Sequence, residues 1–380
     1  MWMKTARSSG CSKLLAFCKR EAVLCIAFLC ALVSMCFVPP SPAYWDYIDL
    51  RVLVLLFCLM AVVAGAGKCG LFHVLARRLL TGQRQLRLLV LVLVLLPFFT
   101  SMLITNDVAL IAFVPFAVLV LGMVAQERYL IYVITLQTIA ANLGSMATPL
   151  GNPQNLYLCS RFQIPAGDFF AAMAPLTLLS LVGLTAAALA VKGQHIQVSF
   201  PERTPLARPR FLAVLFGLFF FCLLSVFRVL PWQVLPVIVV PVLLVGDRQL
   251  LRRVDYGLLA TFVCFFIFAG NLGEIPQVRQ VLAGLLEHNA ALTAALASQV
   301  ISNVPAAVLL SGFTQDWRGL LIGTDVGGLG TLIASLASLI SFKLYLRSPG
   351  ARPLRYLGVF TAANLVGLLV LGSAAALLAP

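Results

Sequence analysis

The sequence is poor in charge and in the residues that build metal and catalytic sites. Charged side chains make up 11% of its 380 residues, against about 25% in an ordinary soluble domain. It has only three His, and its ten Cys lack the close spacing of a metal site. The Gly-rich run 327–330 lacks the Lys and Ser/Thr of a phosphate-binding loop. These shortages predict that the chain is not an enzyme and has no cofactor, disulfide framework or zinc site.

Acidic residues are the scarcer charge: 13 Asp and Glu stand against 27 Lys and Arg, a formal net charge of +14. The basic residues cluster in a few loops between apolar segments, which is the positive-inside pattern and not a nucleic-acid surface. The chain is 61% hydrophobic, and many of its apolar runs are long enough to span a bilayer. We therefore expect a multi-pass protein of the cell inner (plasma) membrane, with a cytoplasmic N-terminus and no nucleic-acid partner.

One apolar segment, 140–157, is interrupted by two Gly, two Pro and three Asn. Pro149 and Pro153 lack a backbone donor and clash with the preceding turn, so a helix cannot run through undisturbed. Irregular backbone at membrane depth is tolerated only where protein buries it or where it lines a wet cavity. The segment predicts a broken transmembrane helix whose freed backbone groups face a binding site.

The same pattern recurs later in the chain. Shifting Asn142–Asn152 forward without gaps places it on Asp325–Ser335. Each break follows a polar tripeptide in an apolar stretch, at 105–107 and at 302–304. Paired interruptions in two halves indicate a secondary transporter with internal repeats; the alternative is two unrelated kinked helices, because Gly and Pro are common in membrane helices. The matched residues are Gly144 with Gly327, Thr148 with Thr331, and Asn152 with Ser335.

The predicted fold is an all-α polytopic membrane protein, an inverted repeat with two re-entrant helical hairpins and two broken transmembrane helices. Loop charge gives about nine crossings, hairpins that enter from opposite faces, and an outer loop at 271–289. The predicted divisions are a first repeat, 1–191 (hairpin 88–121, broken helix 129–159), a cytoplasmic linker, 192–210, and a second repeat, 211–380 (hairpin 292–313, broken helix 320–346).

Asp107 is the most informative single residue, because an acid in the middle of an apolar stretch is functional by default. Its carboxylate could hold a sodium ion together with the amide oxygen of Asn106, or it could carry a proton. The alternative is a helix N-cap for the arm that starts at Val108. Asp325, at the start of the second break, is a second candidate for cation or proton coupling, with an interfacial cap as its alternative.

The two tripeptide asparagines, Asn106 and Asn303, offer amide oxygens to a cation and NH₂ groups to an anion, with capping of a hairpin tip as the alternative. Freed N–H groups at the breaks suit an oxyanion. No Lys or Arg falls near the predicted midplane, which favours co-transported cations or a neutral substrate. The predicted binding residues are Thr105, Asn106, Asp107, Asn142, Gly144, Ser145, Thr148, Asn152, Ser302, Asn303, Asp325, Gly327, Gly328 and Thr331.

At these motifs the chain resembles the ion transporter superfamily, which includes citrate transporter-like permeases, divalent anion–sodium symporters and the arsenite pump membrane subunit. The resemblance covers roughly residues 49–378. It implies two sodium sites formed by Ser-Asn-Thr hairpin tips and unwound helices, elevator-like movement against a scaffold, and a homodimer. Here the tips read Thr-Asn-Asp and Ser-Asn-Val. Val304 has no hydroxyl, which argues against a second matching sodium site and favours proton coupling through Asp107.

The predicted function is secondary active transport of a small anion, a carboxylate or an inorganic oxyanion, by alternating access. Coupling is to sodium or to protons, and the partners are the anionic substrate and the lipid bilayer. One alternative is a sodium–proton antiporter on the same fold, with Asp107 and Asp325 as the exchange site. A second alternative is an intramembrane enzyme, for which the sequence offers no catalytic constellation.

Overall fold

The computed structural model describes residues 21–42, 44–80, 82–198 and 207–378, and most of these residues are helical. The helices of the first part are α1 Ala22–Met35, α2 Tyr44–Tyr47, α3 Leu50–Lys68, α4 Leu71–Leu80, α5 Leu86–Thr100, α6 Asn106–Met123, α7 Leu130–Ser145, α8 Pro153–Arg161 and α9 Ala166–Leu189. Those of the second part are α10 Pro209–Val226, α11 Val234–Asp247, α12 Tyr256–Gly273, α13 Pro276–Ile301, α14 Asn303–Leu310, α15 Trp317–Val326, α16 Leu336–Leu346 and α17 Pro353–Leu378. Short 3₁₀ turns lie at Glu127–Tyr129 and Leu251–Arg253.

Seven of the described helices are long and apolar enough to cross a membrane: α3, α6, α9, α10, α12, α13 and α17. The prediction of an all-α polytopic membrane protein is confirmed. Loop charge predicted about nine crossings, which is more than these seven helices. Some of the predicted crossings correspond to shorter apolar helices of 10–17 residues. Helices α1, α5, α11 and α16 belong to this shorter class.

A small antiparallel sheet was not expected from the sequence. Strand β1, Gly82–Gln85, pairs with β2, His195–Val198, with Gly82 opposite Val198 and Gln85 opposite His195. The pairing continues as Leu86 N–H donates to the carbonyl of Gln194 (2.7 Å). The segment predicted as a plain linker therefore starts by folding back onto the entry of α5.

The loop predicted at 271–289 is wrong, because α12 runs to Gly273 and α13 begins at Pro276. The few charged residues of this segment indicated that it is exposed to solvent, but an exposed segment can also be helical. Within α13 the backbone becomes extended at Asn289 (φ −162°, ψ 98°). The Asn289 side chain then accepts a hydrogen bond from Leu292 N–H (2.8 Å), so it caps a second helical segment.

The helices form two groups by their packing. In the first, which we call the frame, α1 packs on α12, and α3 packs on α10 and α11. In the second, the core, α5 packs on α7 and α13 packs on α15. The core also contains α6, α8, α9, α14, α16 and α17, and α4 lies between the groups. The frame contacts the core chiefly through α12 on α14 and α3 on α8.

An ion pair closes one end of the frame. Lys68, the last residue of α3, contacts Asp247, the last residue of α11, with 2.5 Å between Nζ and Oδ2. Arg208, which precedes α10, lies 3.6 Å from the same carboxylate and donates to the carbonyl of Gly246 (3.0 Å). Three frame helices are thus tied together at one point.

Gly144 allows α7 to lie directly against α5. A Cβ at Gly144 would lie closer than 3.0 Å to the backbone carbonyl of Phe98 and to Ser101 Oγ. The matched residue of the second half, Gly327, is equally enclosed, because a Cβ there would lie 2.7 Å from Ala295 Cα. In both halves the absent side chain permits a hairpin arm to touch the end of a broken helix.

We expect Gly144→Ala to lower the thermal unfolding temperature of the purified protein. Ala is favoured over Gly in helices by about 1 kcal/mol, but overlap with rigid backbone costs about 1–3 kcal/mol or more. The matched control is Gly183→Ala in α9, where a Cβ would meet no atom within 4 Å. The control should be neutral or stabilising, and equal effects of both variants would contradict the close packing of α5 on α7.

Candidate functional site

The tip of the first hairpin, residues 101–105, is held against the first break. Asn106 N–H donates to the carbonyl of Gly151 (3.2 Å), and the Thr148 hydroxyl donates to the carbonyl of Met102. The Thr148 hydroxyl also accepts a hydrogen bond from Gly151 N–H (3.1 Å). Backbone groups that the helix break leaves without partners are therefore satisfied by the hairpin tip and by the Thr148 side chain.

The second hairpin repeats these contacts at matched residues. Asn303 N–H donates to the carbonyl of Ala334 (2.9 Å), and the Thr331 hydroxyl donates to the carbonyl of Gln299 (3.1 Å). Thr331 in turn accepts from Ala334 N–H (3.2 Å). The two tripeptides and the two breaks thus form the same local structure, and two unrelated kinks would not be expected to do so.

The two breaks also contact each other, and the contacts are reciprocal. Ser335 Oγ donates to Asn142 Oδ1 (3.1 Å), and Asn152 Nδ2 donates to Asp325 Oδ1 (2.8 Å). In the ungapped match, Asn142 corresponds to Asp325 and Asn152 to Ser335. Each break therefore bonds through its first polar residue to the last polar residue of the other. All four side chains are at most 4% exposed.

Asn106 joins the first hairpin tip to this network. Its Nδ2 donates to Asn142 Oδ1 (3.0 Å), and its own Oδ1 accepts from Asp107 N–H (3.0 Å). In the second half, Asn303 Oδ1 accepts from Val304 N–H in the same way (3.0 Å). Both amide oxygens therefore accept an N–H group at the start of their own helix, as the capping alternative describes. The amide nitrogen of Asn106 instead contacts Asn142, a predicted site residue.

Asp325 is the only carboxylate that the described residues bring into the network. Its Oδ1 accepts from Asn152 and from Gln154 Nε2 (3.2 Å), whereas its Oδ2 is buried without a hydrogen-bond partner among the described residues. Asn155 Oδ1 is also buried without a donor among the described residues. Buried acceptors of this kind are costly unless a cation or a proton satisfies them.

Asp107 lies outside the network. Its residue is half-buried in the first turn of α6, and its carboxylate makes no hydrogen bond to the described residues. The cap alternative is therefore not realised by its side chain, and Asp107 lies inside α6, whose N-cap residue is Thr105. Its negative charge still lies favourably near a helix N-terminus.

Two glutamines, half-buried Gln299 and buried Gln137, hold the breaks and hairpins together, and neither was among the predicted site residues. Gln299 Nε2 donates to the carbonyls of Gly327 (2.8 Å) and Leu329 (2.9 Å), and its Oε1 accepts from Thr331 N–H (2.9 Å). Gln137 donates to the carbonyl of Leu93 (2.9 Å), which has no helical donor because residue 97 is Pro. The available signal was a lone amide side chain within an apolar segment.

The remaining predicted residues position these groups. Ser145 Oγ donates to the carbonyl of Asn142 (2.8 Å) and accepts from Asn152 Nδ2 (3.3 Å). Gly328 leaves room for Asn303, because a Cβ there would lie 3.0 Å from Asn303 Nδ2. Thr105 is the N-cap residue of α6 without a side-chain cap.

Ser302, at the second hairpin tip, has a strained backbone. Its φ of 72° and ψ of 154° lie in a region that is almost restricted to Gly. Its hydroxyl makes only long contacts, 3.4 Å to the carbonyl of Ala334 and 3.5 Å to Asn303 Oδ1. Strain of this kind persists where surrounding structure imposes it, and it is concentrated at binding sites and switch regions.

We expect Ser302→Gly to raise the thermal unfolding temperature. Relief of about 1–3 kcal/mol of backbone strain exceeds the extra chain entropy of Gly, about 0.5–1 kcal/mol. The control is Ser101→Gly at the first tip, where φ is −65° and no strain is relieved. That control should lower the unfolding temperature, and a loss of stability in Ser302→Gly would contradict the strained conformation.

The sequence of this chain matches known transporters. The model of the citrate transporter family matches residues 14–315. The inner membrane protein YbiR of Escherichia coli is 33% identical over 316 residues, which cover 81% of this chain and 83% of that protein. An uncharacterized transporter of Methanocaldococcus jannaschii is 31% identical over 262 residues, covering 66% of this chain and 69% of the relative.

A shorter match connects the chain to a transporter with a named substrate. The silicon efflux transporter LSI3 of Oryza sativa is 35% identical over 140 residues, which cover 35% of this chain and 27% of that protein. Together these similarities identify a membrane transporter and not an enzyme.

Proposed function

The chain belongs to the citrate transporter family, and from this premise we propose that it is a secondary active transporter of a small anion, coupled to sodium or protons. The substrate class is a carboxylate or an inorganic oxyanion. The basic loops favour a cell inner membrane location with a cytoplasmic N-terminus. The homodimer implied by the resemblance stays a prediction.

The observation that carries the proposal is the reciprocal network between the two breaks. Four helices begin beside it: α6 and α14 at the hairpin tips, and α8 and α16 directly after the breaks. Helix N-termini present positive partial charge and free N–H groups, which suit an anionic substrate. No Lys or Arg forms an ion pair with Asp325 among the described residues, so a co-transported cation is the natural source of compensating charge.

We place the coupling ion at Asp325. Its Oδ2 and Asn155 Oδ1 are buried acceptors without donors among the described residues, whereas Asp107 is only half-buried. A sodium ion would be bound by these oxygens, and a proton would sit on the carboxylate itself. Asp107, next to Asn106 at the first tip, remains the second candidate.

The first test measures thermal unfolding of the purified protein against sodium concentration at two pH values. A ligand that binds only the folded state stabilises it by about 2.7 kcal/mol at 100 times its Kd. We expect saturable stabilisation by sodium, or a pH dependence without sodium, that is lost in Asp325→Asn. Asp107→Asn is measured alongside, and Asp168→Asn, an exposed carboxylate in the first turn of α9, is the matched control.

Three results separate the possibilities. Loss of the response in Asp325→Asn alone supports the coupling site at Asp325, and loss in Asp107→Asn alone moves it to the first hairpin tip. A response that persists in both variants removes the two carboxylates from coupling. The control variant should respond as the wild type does in every case.

The packing of the helices supports movement of the core against the frame. One polar contact between the groups lies at the end of α8, where Ser160 Oγ donates to Asp49 Oδ2 (3.4 Å) and Arg228 donates to the carbonyl of Ser160 (3.2 Å). Apolar cavities of about 170 and 250 Å³ border the two hairpin tips where they face frame helices. Apolar contacts of this kind can be exchanged when packed helices slide past one another.

We expect a covalent link between frame and core to stop transport. In a background without native Cys, Asp49→Cys and Ser160→Cys would be joined with a short bifunctional reagent. Proteoliposome uptake of citrate and of silicic acid is then measured before and after linkage. The matched control, Lys68→Cys with Asp247→Cys, links two frame helices and should leave transport intact. Full activity after the Asp49–Ser160 link would contradict a moving core.

The sodium–proton antiporter is the second candidate, favoured by the unpartnered carboxylate oxygen of Asp325. It predicts that a sodium gradient drives proton movement in proteoliposomes that contain no transportable anion. An anion transporter requires citrate or another small anion for ion flux. A pH-sensitive dye inside the vesicles distinguishes these outcomes.

A further inference from the structure

A cavity of about 440 Å³ lies where α7 and α17 begin, and none of the tip or break residues lines it. Its wall includes Arg128, Arg352 and Arg355, against the single carboxylate of Glu127. Among the described residues, none of these arginines forms an ion pair. Three guanidinium groups and one carboxylate leave the cavity with uncompensated positive charge.

The backbone adds to this positive charge. Helix α17 begins at Pro353, between two of the arginines, and its first turn contains no acidic residue. The first turn of α7 contains none either. A helix N-terminus carries about +0.5 elementary charge and favours a nearby anion. Arginine side chains at this position are therefore repelled by the positive end of the helix. An anion bound between them would remove the repulsion.

Tyr345 supplies a neutral donor to the same cavity. Its side chain is buried, and its hydroxyl accepts a hydrogen bond from Arg352 N–H (2.8 Å). That hydroxyl donates to no acceptor among the described residues, so its proton is available to a ligand oxygen. Planar guanidinium groups match the oxygens of carboxylate and phosphate groups in geometry.

We propose that this arginine cavity, formed by Arg128, Tyr345, Arg352 and Arg355, binds a phosphate group. Helix α17 is a membrane-span candidate that begins beside the cavity, so the arginines lie at the level of the lipid headgroups. Leu354, between two of them, is 85% exposed and suited to contact with an acyl chain. These features favour the headgroup of an anionic phospholipid as the source of the phosphate, with free inorganic phosphate as the other source.

The test uses the full chain in neutral detergent, with phosphatidylglycerol, phosphatidylcholine and inorganic phosphate as probes of thermal unfolding. Phosphatidylglycerol should raise the unfolding temperature at concentrations where phosphatidylcholine does not. The double variant Arg352→Gln/Arg355→Gln should raise the half-saturating concentration about tenfold or more, because it removes two donors of charge-assisted hydrogen bonds. The matched control, Arg252→Gln/Arg253→Gln, removes two exposed arginines outside the cavity.

The outcomes are distinct. Selective loss of the phosphatidylglycerol response in the cavity variant supports a lipid site. Selective loss of a phosphate response supports the same site with a soluble ligand. Equal responses of wild type and cavity variant, an equal loss in the control, or no response to either probe would overturn the proposal. None of these results depends on the transported substrate, so failure here leaves the proposed transport function untouched.

Discussion

The structure depends on one constraint: backbone polar groups at membrane depth must find partners inside the protein. Each helix break leaves such groups without helical partners, and the hairpin tip of the same half supplies hydrogen bonds to them. Asn106 and Asn303 donate their backbone N–H groups to Gly151 and Ala334, and Gln299 binds two carbonyls of the second break. Because breaks and hairpins satisfy each other, neither could be stable alone in a bilayer.

The two halves share this arrangement but differ in charge. Asn142 in the first break corresponds to Asp325 in the second, so otherwise similar reciprocal contacts contain one carboxylate. Asn142 finds donors for its Oδ1 and acceptors for its Nδ2, whereas Asp325 keeps one oxygen without a donor among the described residues. The near-symmetry builds the network, and the departure from symmetry introduces its one carboxylate, with a buried oxygen that lacks a donor among the described residues.

Helix packing distinguishes the core, whose helices hold the site, from the frame. The core helices pack on each other across the two halves, with α6 against α16 and α14 against α8. The frame is closed by its own ion pair between Lys68 and Asp247. Close approach within the core requires Gly144 and Gly327, since larger residues would separate hairpin from break. Both breaks and both hairpin tips therefore belong to one packed group of helices, the core.

The class of the protein and the position of its irregular segments follow from the amino-acid sequence alone. Apolar runs require membrane helices, and Pro149 with the neighbouring Gly residues prevents a continuous helix, because both effects are local. Which polar residues meet depends on how the whole chain folds. Gln299 and Gln154 lie far in sequence from their partners, and Asp325 rather than Asp107 joins the network through contacts across 171–173 positions. Local pattern cannot report such contacts, since burial and partners are properties of the folded chain.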